Sequence, residues 1–201
     1  TNGIDRARYE EISSLFLSSS PRKKSFYDVV YTGNLGEGQD ILSLIDDLMR
    51  SSKAIDVLLN SDIRFLFYGD GSQLSALRAL LLDCSSKYPY ISDHLVFKGL
   101  ISRDQVPYVY ATSDCLLLHI AAVQSLSMVI PSKVFEYAAT PLPILYAGKG
   151  CTANFIDKIE HTYRFDQCNG LSLITNSIHV RNTSPYKVMR NDFISKHLNE
   201  N

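Results

Sequence analysis

The sequence predicts an α/β fold, a doubly wound parallel sheet with helices on both faces. Two patterns carry that reading. Short apolar runs, FYDVVYT from Phe26, IRFLFY from Ile63, LVFKG from Leu95, DCLLLHI from Asp114 and LPILYA from Leu142, alternate with segments whose apolar residues recur at helical spacing. Several of these runs are apolar without interruption, as in strands buried on both faces, and not alternating as in a sheet with one wet face. Right-handed crossovers then wind the chain into a Rossmann-like sheet.

Composition agrees. The 201 residues are 45% hydrophobic and 20% charged, enough for one substantial domain with a real core. A net charge of −1 lacks the basic excess of a nucleic-acid-binding domain, and the twelve tyrosines are scattered, with no stacking platform. No apolar run approaches the roughly 20 residues of a membrane-spanning helix. Four cysteines, Cys84, Cys115, Cys151 and Cys168, stand far apart with no CxxC pair, which argues against a zinc site and fits reduced thiols in a cytosolic protein. The polar start TNGIDRARYE has no signal-peptide pattern, and because it begins with Thr a longer parent chain is expected.

Residues 1–24 read as a connector with one helical piece around Tyr9 to Phe16, because the stretch is polar and Ser-rich. A domain over 25–180 follows. Its first strand, from Phe26, ends at Gly33; NLGEGQ makes a loop, and Ile41, Leu44, Ile45 and Leu48 give the next helix its period. The unit then repeats: strand IRFLFYG, loop GDGSQ, helix LSALRALLLDCSS half buried in the core; strand LVFKG, loop LISRD, short helix QVPYVYATS. Strand DCLLLHI leads through a longer loop, AAVQSLSMVI, to helix PSKVFEYAAT and strand LPILYA. Beyond Ala147 a short helix, a last strand ending near Phe165 and a helix at GLSLITNSI are expected, then a terminal helix within 181–201 with apolar Val188, Phe193, Ile194 and Leu198.

The most polarised helix lies in IPSKVFEYAATPLPIL, Ile130 to Leu145. At about 3.6 residues per turn, Ser132, Lys133 and Glu136 share one arc while Val134, Phe135 and Ala138 share the opposite one. Pro131 and Ser132 are start signals, with Ser132 able to cap, and free N–H groups beside a lysine can hold a phosphate. The plain alternative is an amphipathic helix with a solvated Lys133–Glu136 pair.

In such sheets ligands bind beyond the carboxyl ends of the strands. Four stretches share that rim: GNLGEG, GDGS, GLIS and the loop from His119 to Ser132. Gly33, Gly36 and Gly38 let backbone approach an anion, although GNLGEG is neither the GxGxxG fingerprint nor a Walker A loop.

Taken together, TNGID, YTGNLGEGQDI, FLFYGDGS, LVFKGLIS, YATSDCLLL and PSKVFEYAATPLPIL, in this order and spacing, resemble the C-terminal half of family 4 glycosyltransferases from Thr1 to about Gly150. PSKVFEY is similar to the subgroup that builds bacterial surface polysaccharides. The resemblance implies one half of a GT-B fold, the domain that binds a nucleoside diphosphate sugar, with uridine diphosphate as the expected nucleotide. It implies a retaining transfer, no metal or cofactor, a missing N-terminal acceptor domain, and a glycan or lipid-linked acceptor. The expected location is cytoplasmic, with the inner face of the membrane open to a full-length protein.

Residue by residue, the resemblance puts Glu136 on the donor ribose hydroxyls, which a carboxylate can accept from in pairs. Lys133 and Ser132 would meet the diphosphate, Gly33, Asn34, Leu35 and Gly36 would form the loop against it, and Leu100 and Ile101 would meet the base or be plain core. Met128 stands where many members carry a Glu, Asn34 and Gln39 where Arg and Lys are usual, and Pro141 where Gly is usual. His119 reads as a structural residue or one near the donor sugar, Asp70 and Asp114 as loop and strand-start residues, and Asp46 with Asp47 as a solvated helix face. Two rivals remain open: a non-catalytic binding module of the same fold, supported by Met128, Asn34 and Gln39, and a nucleotide-sugar epimerase or phosphorylase of similar architecture. The fragment alone is expected not to transfer sugar.

Overall fold

The fold is that of a computed structural model, which describes residues 3–18, 24–123, 130–184 and 189–199. Met128 and Val188 lie outside the described residues. Strand β1 (Ile4–Asp5) leads into α1 (Arg6–Ser18), longer at both ends than the helical piece read from the sequence. The main sheet begins at β2 (Tyr27–Thr32), and α2 (Ile41–Arg50) and α3 (Ser52–Leu59) follow it. Helix α3 has no counterpart among the elements expected from the sequence. Ser51 parts it from α2, its side chain accepting from the Ala54 N–H and so starting a new helix.

Next come β3 (Ile63–Tyr68), α4 (Leu74–Lys87), the single turn α5 (Ile91–His94), β4 (Leu95–Gly99), α6 (Val106–Ala111) and β5 (Cys115–His119). Of α4 only Leu77 and Cys84 are buried, and Leu82 faces solvent. The chain continues through α7 (Lys133–Ala138), β6 (Ile144–Ala147), α8 (Gly150–Ile156), β7 (Thr162–Arg164), α9 (Gly170–Thr183) and α10 (Asn191–His197). Strand β8 (Leu198–Asn199) closes it, pairing with β1 in parallel.

Six parallel strands stand in the order β4-β3-β2-β5-β6-β7. Counted within the sheet this is 3-2-1-4-5-6, the order of doubly wound nucleotide-binding sheets, and it reverses between β2 and β5. Side chains alternate across the sheet. Val29, Tyr31, Phe65, Phe67, Leu117 and Leu145 pack with α2, α3, α4 and α9 on one face. On the other, Val30, Leu66, Leu116, Leu118, Ile144 and Tyr146 pack with α1, α6, α7, α8 and α10. Both faces are covered, as the uninterrupted apolar runs predict.

Among the described residues no helix is long and apolar enough to cross a membrane. All four cysteines are free thiols, and burial pushes Cys115 up to about 12.

Candidate functional site

The strand order reverses between β2 and β5, the place beyond which ligands bind in such sheets, and the glycine loop that follows β2 lies there. Three glycines end neighbouring strands side by side: Gly33 N–H donates to Tyr68 O and Gly69 N–H to Gly99 O, each at 2.8 Å. Gly33 and Gly69 have φ of 128° and 145°, and a Cβ on Gly69 would lie 2.8 Å from the Gly33 carbonyl carbon. Only glycine lets these two backbones meet. The loop is held further by Leu35, whose side chain is fully buried and whose N–H donates to Asp70 O. The sequence points to Gly33, Gly36 and Gly38 as the backbone that can approach an anion. Gly33 and Leu35 already bond within the protein, which leaves the Asn34, Gly36, Glu37 and Gly38 N–H groups without a partner among the described residues.

Helix α7 brings Lys133 onto this loop. Its Nζ sits 4.1 Å from the centroid of the Tyr31 ring, and a Cβ on Gly33 would come 2.9 Å from its Cε. Among the described residues nothing forms a hydrogen bond or ion pair with that Nζ. Burial lowers the amine to about 8, with the Glu136 charge opposing the shift. The solvated Lys133–Glu136 pair is therefore not what forms. Ser132 also departs from expectation: its backbone is already helical and its side chain makes no cap hydrogen bond, so α7 has six residues and an uncapped start.

Glu136 turns to other partners. Tyr110 OH donates to its Oε2 at 3.1 Å, and Arg8 Nε lies 3.6 Å from its Oε1. The Tyr110 proton is committed to the carboxylate, so at 3.0 Å the Thr32 hydroxyl donates to the Tyr110 oxygen. Tyr137 OH in turn donates to Leu117 O and receives the Thr32 N–H. Arg8, Tyr31, Thr32 and Tyr110 were assigned no role from the sequence. Their spacing carried no signal, because they come from three elements far apart in the chain, α1, β2 and α6.

His119 ends β5 on the rim but is 0% exposed. Its Nδ1 lies 2.6 Å from Gln39 O and so carries the proton, which leaves Nε2 to accept from Gln167 Nε2 at 3.2 Å. Burial lowers its pKa, so the ring is neutral and joins β5 to the glycine loop. Of its two readings the structural one describes this geometry. Leu100 is 78% exposed and Ile101 half-buried, so this pair is not plain core. Asp70 and Asp114 are loop and strand-start residues as read, with Asp114 pairing Lys24 and accepting the Asp28 N–H. Asp46 is half-buried and pairs with the exposed Arg50, and Asp47, itself exposed, accepts the Gly170 N–H at 2.8 Å and caps α9.

No family model and no curated protein matches the sequence. Solved structures do match in fold. HepE of Anabaena, in complex with UDP and glucose, is 16% identical with a TM-score of 0.64, covering 98% of this chain and 51% of that one. A glycosyltransferase from Rickettsia africae is 11% identical with a TM-score of 0.68, covering 98% and 51%. The C-terminal domain of a group 1 glycosyltransferase, LpcC from Francisella tularensis, is 15% identical with a TM-score of 0.64, covering 96% and 97%. The fold is thus the α/β Rossmann-like fold of GT-B glycosyltransferase C-terminal domains. The chain spans about half the length of the HepE and Rickettsia proteins.

Proposed function

We propose that this chain binds the nucleoside diphosphate sugar donor of a retaining glycosyltransferase, with a UDP-sugar as donor and a glycan or lipid-linked acceptor. The observation that carries this reading is Lys133, laid against Gly33 at the switch point with no counter-ion among the described residues. A largely desolvated cation beside backbone N–H groups that have no partner among the described residues is a site for an anion. A fold shared with HepE, which is known in complex with UDP and glucose, supports the choice of nucleotide.

In this reading Lys133 and the Asn34 and Gly36 N–H groups meet the diphosphate. They stabilise the charge that grows on the leaving nucleoside diphosphate as the glycosidic bond breaks. Glu136 accepts from the ribose hydroxyls, and Leu100 and Ile101 lie against the base. The acceptor is bound by a second domain outside these 201 residues, so the chain alone does not transfer sugar. Its place is the cytoplasm, at work on cell-surface polysaccharide.

Titration calorimetry with UDP, GDP and ADP tests the proposal. Saturable binding of UDP, lost in Lys133→Met, is the expected result. Failure of all three nucleotides to bind the folded chain would favour the non-catalytic module, for which Asn34 bonded to Gln39 in place of a second cation is the specific support.

A further inference from the structure

Arg8 joins two walls of the candidate site, and we propose that it is a positioning residue, holding the Glu136 carboxylate for the ribose hydroxyls of the nucleotide and away from Lys133. The inference rests on the donor-binding reading above and adds to it a residue on an element remote in sequence.

Arg8 is 7% exposed although it lies in the first turn of α1. Its backbone N–H donates to Asp5 Oδ1 at 2.7 Å, which fixes the turn from which the side chain departs. Nη1 donates to Glu11 Oε2 at 2.9 Å, and Nη2 donates to Arg103 O at 3.1 Å, in the loop that begins with Leu100 and Ile101. The remaining donor, Nε, is buried without a hydrogen bond and lies 3.6 Å from Glu136 Oε1. A buried guanidinium N–H left unmatched is costly, and this one faces a carboxylate only a few tenths of an ångström beyond bonding range. One planar group thus meets the ribose carboxylate and the base loop together. A lysine, with a single point charge, could not serve both directions.

The second part of the role follows from α7. Glu136 comes three residues after Lys133 on the same side of a helix, a spacing at which opposite charges pair. Pairing would draw the lysine off Gly33 and the carboxylate off the ribose in one movement. Tyr110 on Oε2 and Arg8 beside Oε1 hold the carboxylate against that alternative. Arg8 acts through Glu136 and meets no reacting atom.

The test is calorimetry of the whole chain with UDP and with 2′,3′-dideoxyuridine diphosphate, which lacks both ribose hydroxyls. Arg8→Met is expected to lose about tenfold in affinity for UDP and less than about twofold for the dideoxy nucleotide. Glu136→Gln should show the same selectivity, and the double variant should bind UDP no more weakly than the worse single one. Tyr110→Phe, which keeps the ring and so the packing, should show a smaller loss of the same kind. Equal losses for both nucleotides, or losses that add in the double variant, overturn the role of Arg8 and leave the donor reading standing. Failure of the unsubstituted chain to bind UDP overturns the donor reading, and this inference with it.

Discussion

The Lys133 ammonium rests 4.1 Å from the centre of the Tyr31 ring, over the glycine that ends β2, and burial has brought its pKa down to about 8. The ring face compensates part of the lost hydration. The rest is a standing cost of the free protein. Its folded pKa lies below the ordinary 10.5, so the unfolded chain binds more protons between those values and stability rises with pH across that window. Below about pH 8 the cost is present in full. Lys133→Met should therefore stabilise the free chain at pH 7 by about 1–3 kcal/mol, an advantage that shrinks toward pH 10.5. Urea melts at pH 7 and pH 10 measure it.

Binding of an anion runs the other way with pH. A diphosphate beside Lys133 favours the charged amine, so affinity should be greatest below about pH 8. Above that it should fall by up to about tenfold per pH unit until the pKa of the bound state is passed. Calorimetry from pH 6.5 to 9.5 would trace the decline, and Lys133→Met should flatten any residual binding over the same range. A constant affinity in the unsubstituted chain would remove Lys133 from the phosphate site.

Gly33 and Gly69 should separate function from folding. Both have positive φ, which costs an alanine about 1–3 kcal/mol. A Cβ on Gly33 then meets the end of the Lys133 side chain, which can swing aside and leave the site. A Cβ on Gly69 meets the backbone of Gly33, which cannot move without parting β2 from β3. Gly33→Ala should fold with modest loss and bind nucleotide poorly, whereas Gly69→Ala should lose more than about 3 kcal/mol. Thermal melts alongside calorimetry distinguish the two.

Among the described residues the six main strands and eight of the ten helices were legible in the sequence, because each buries a face whose period the residues repeat. Helices α3 and α5 were missed, being only eight and four residues long. The site was legible only where it is local. Lys133 and Glu136 stand on one short helix, and the glycines mark their own loop. The partners of Glu136 come from α1 and α6, at sequence separations of 128 and 26 residues. No periodicity encodes such pairings. The same holds for His119, whose position on the rim was evident and whose burial behind Gln39 and Gln167 was not.

Two adjacent aspartates on α2 should prove unequal. Asp46 pairs with Arg50, which is 78% exposed, and solvent screens such an i,i+4 pair so that it contributes little. Asp47 accepts the Gly170 N–H while Asn169 accepts the Ser172 N–H, so the two together cap the start of α9. Asp47→Ala should cost about 1 kcal/mol and Asp46→Ala less than half of that. Equal losses in denaturant melts would mean that Asn169 alone suffices.

Arg190 provides the sharpest separation of stability from function. It is 2% exposed and meets no carboxylate among the described residues; instead its Nε donates to Glu160 O, Nη1 to Thr140 O and Nη2 to Leu142 O, at 2.5–2.7 Å. This fork clamps the Pro141 turn between α7 and β6 to the segment before β7, which sets where α7 ends. Burial lowers the guanidinium to about 10, so it remains charged at neutral pH and carries a desolvation cost of its own. Arg190→Met removes that cost along with the bonds, and its expected loss is about 2–4 kcal/mol from the carbonyls left unmatched. Arg190→Lys keeps a buried charge but cannot span three carbonyls with one ammonium, so it should be at least as destabilising despite being the closer substitution. In variants that stay folded at low temperature, UDP affinity should stay within about twofold of the unsubstituted chain, because the clamp lies beyond the C-terminal end of α7 and Lys133 at its start. A lysine variant close to the original in stability would show that charge, and not the fork, is what this turn requires.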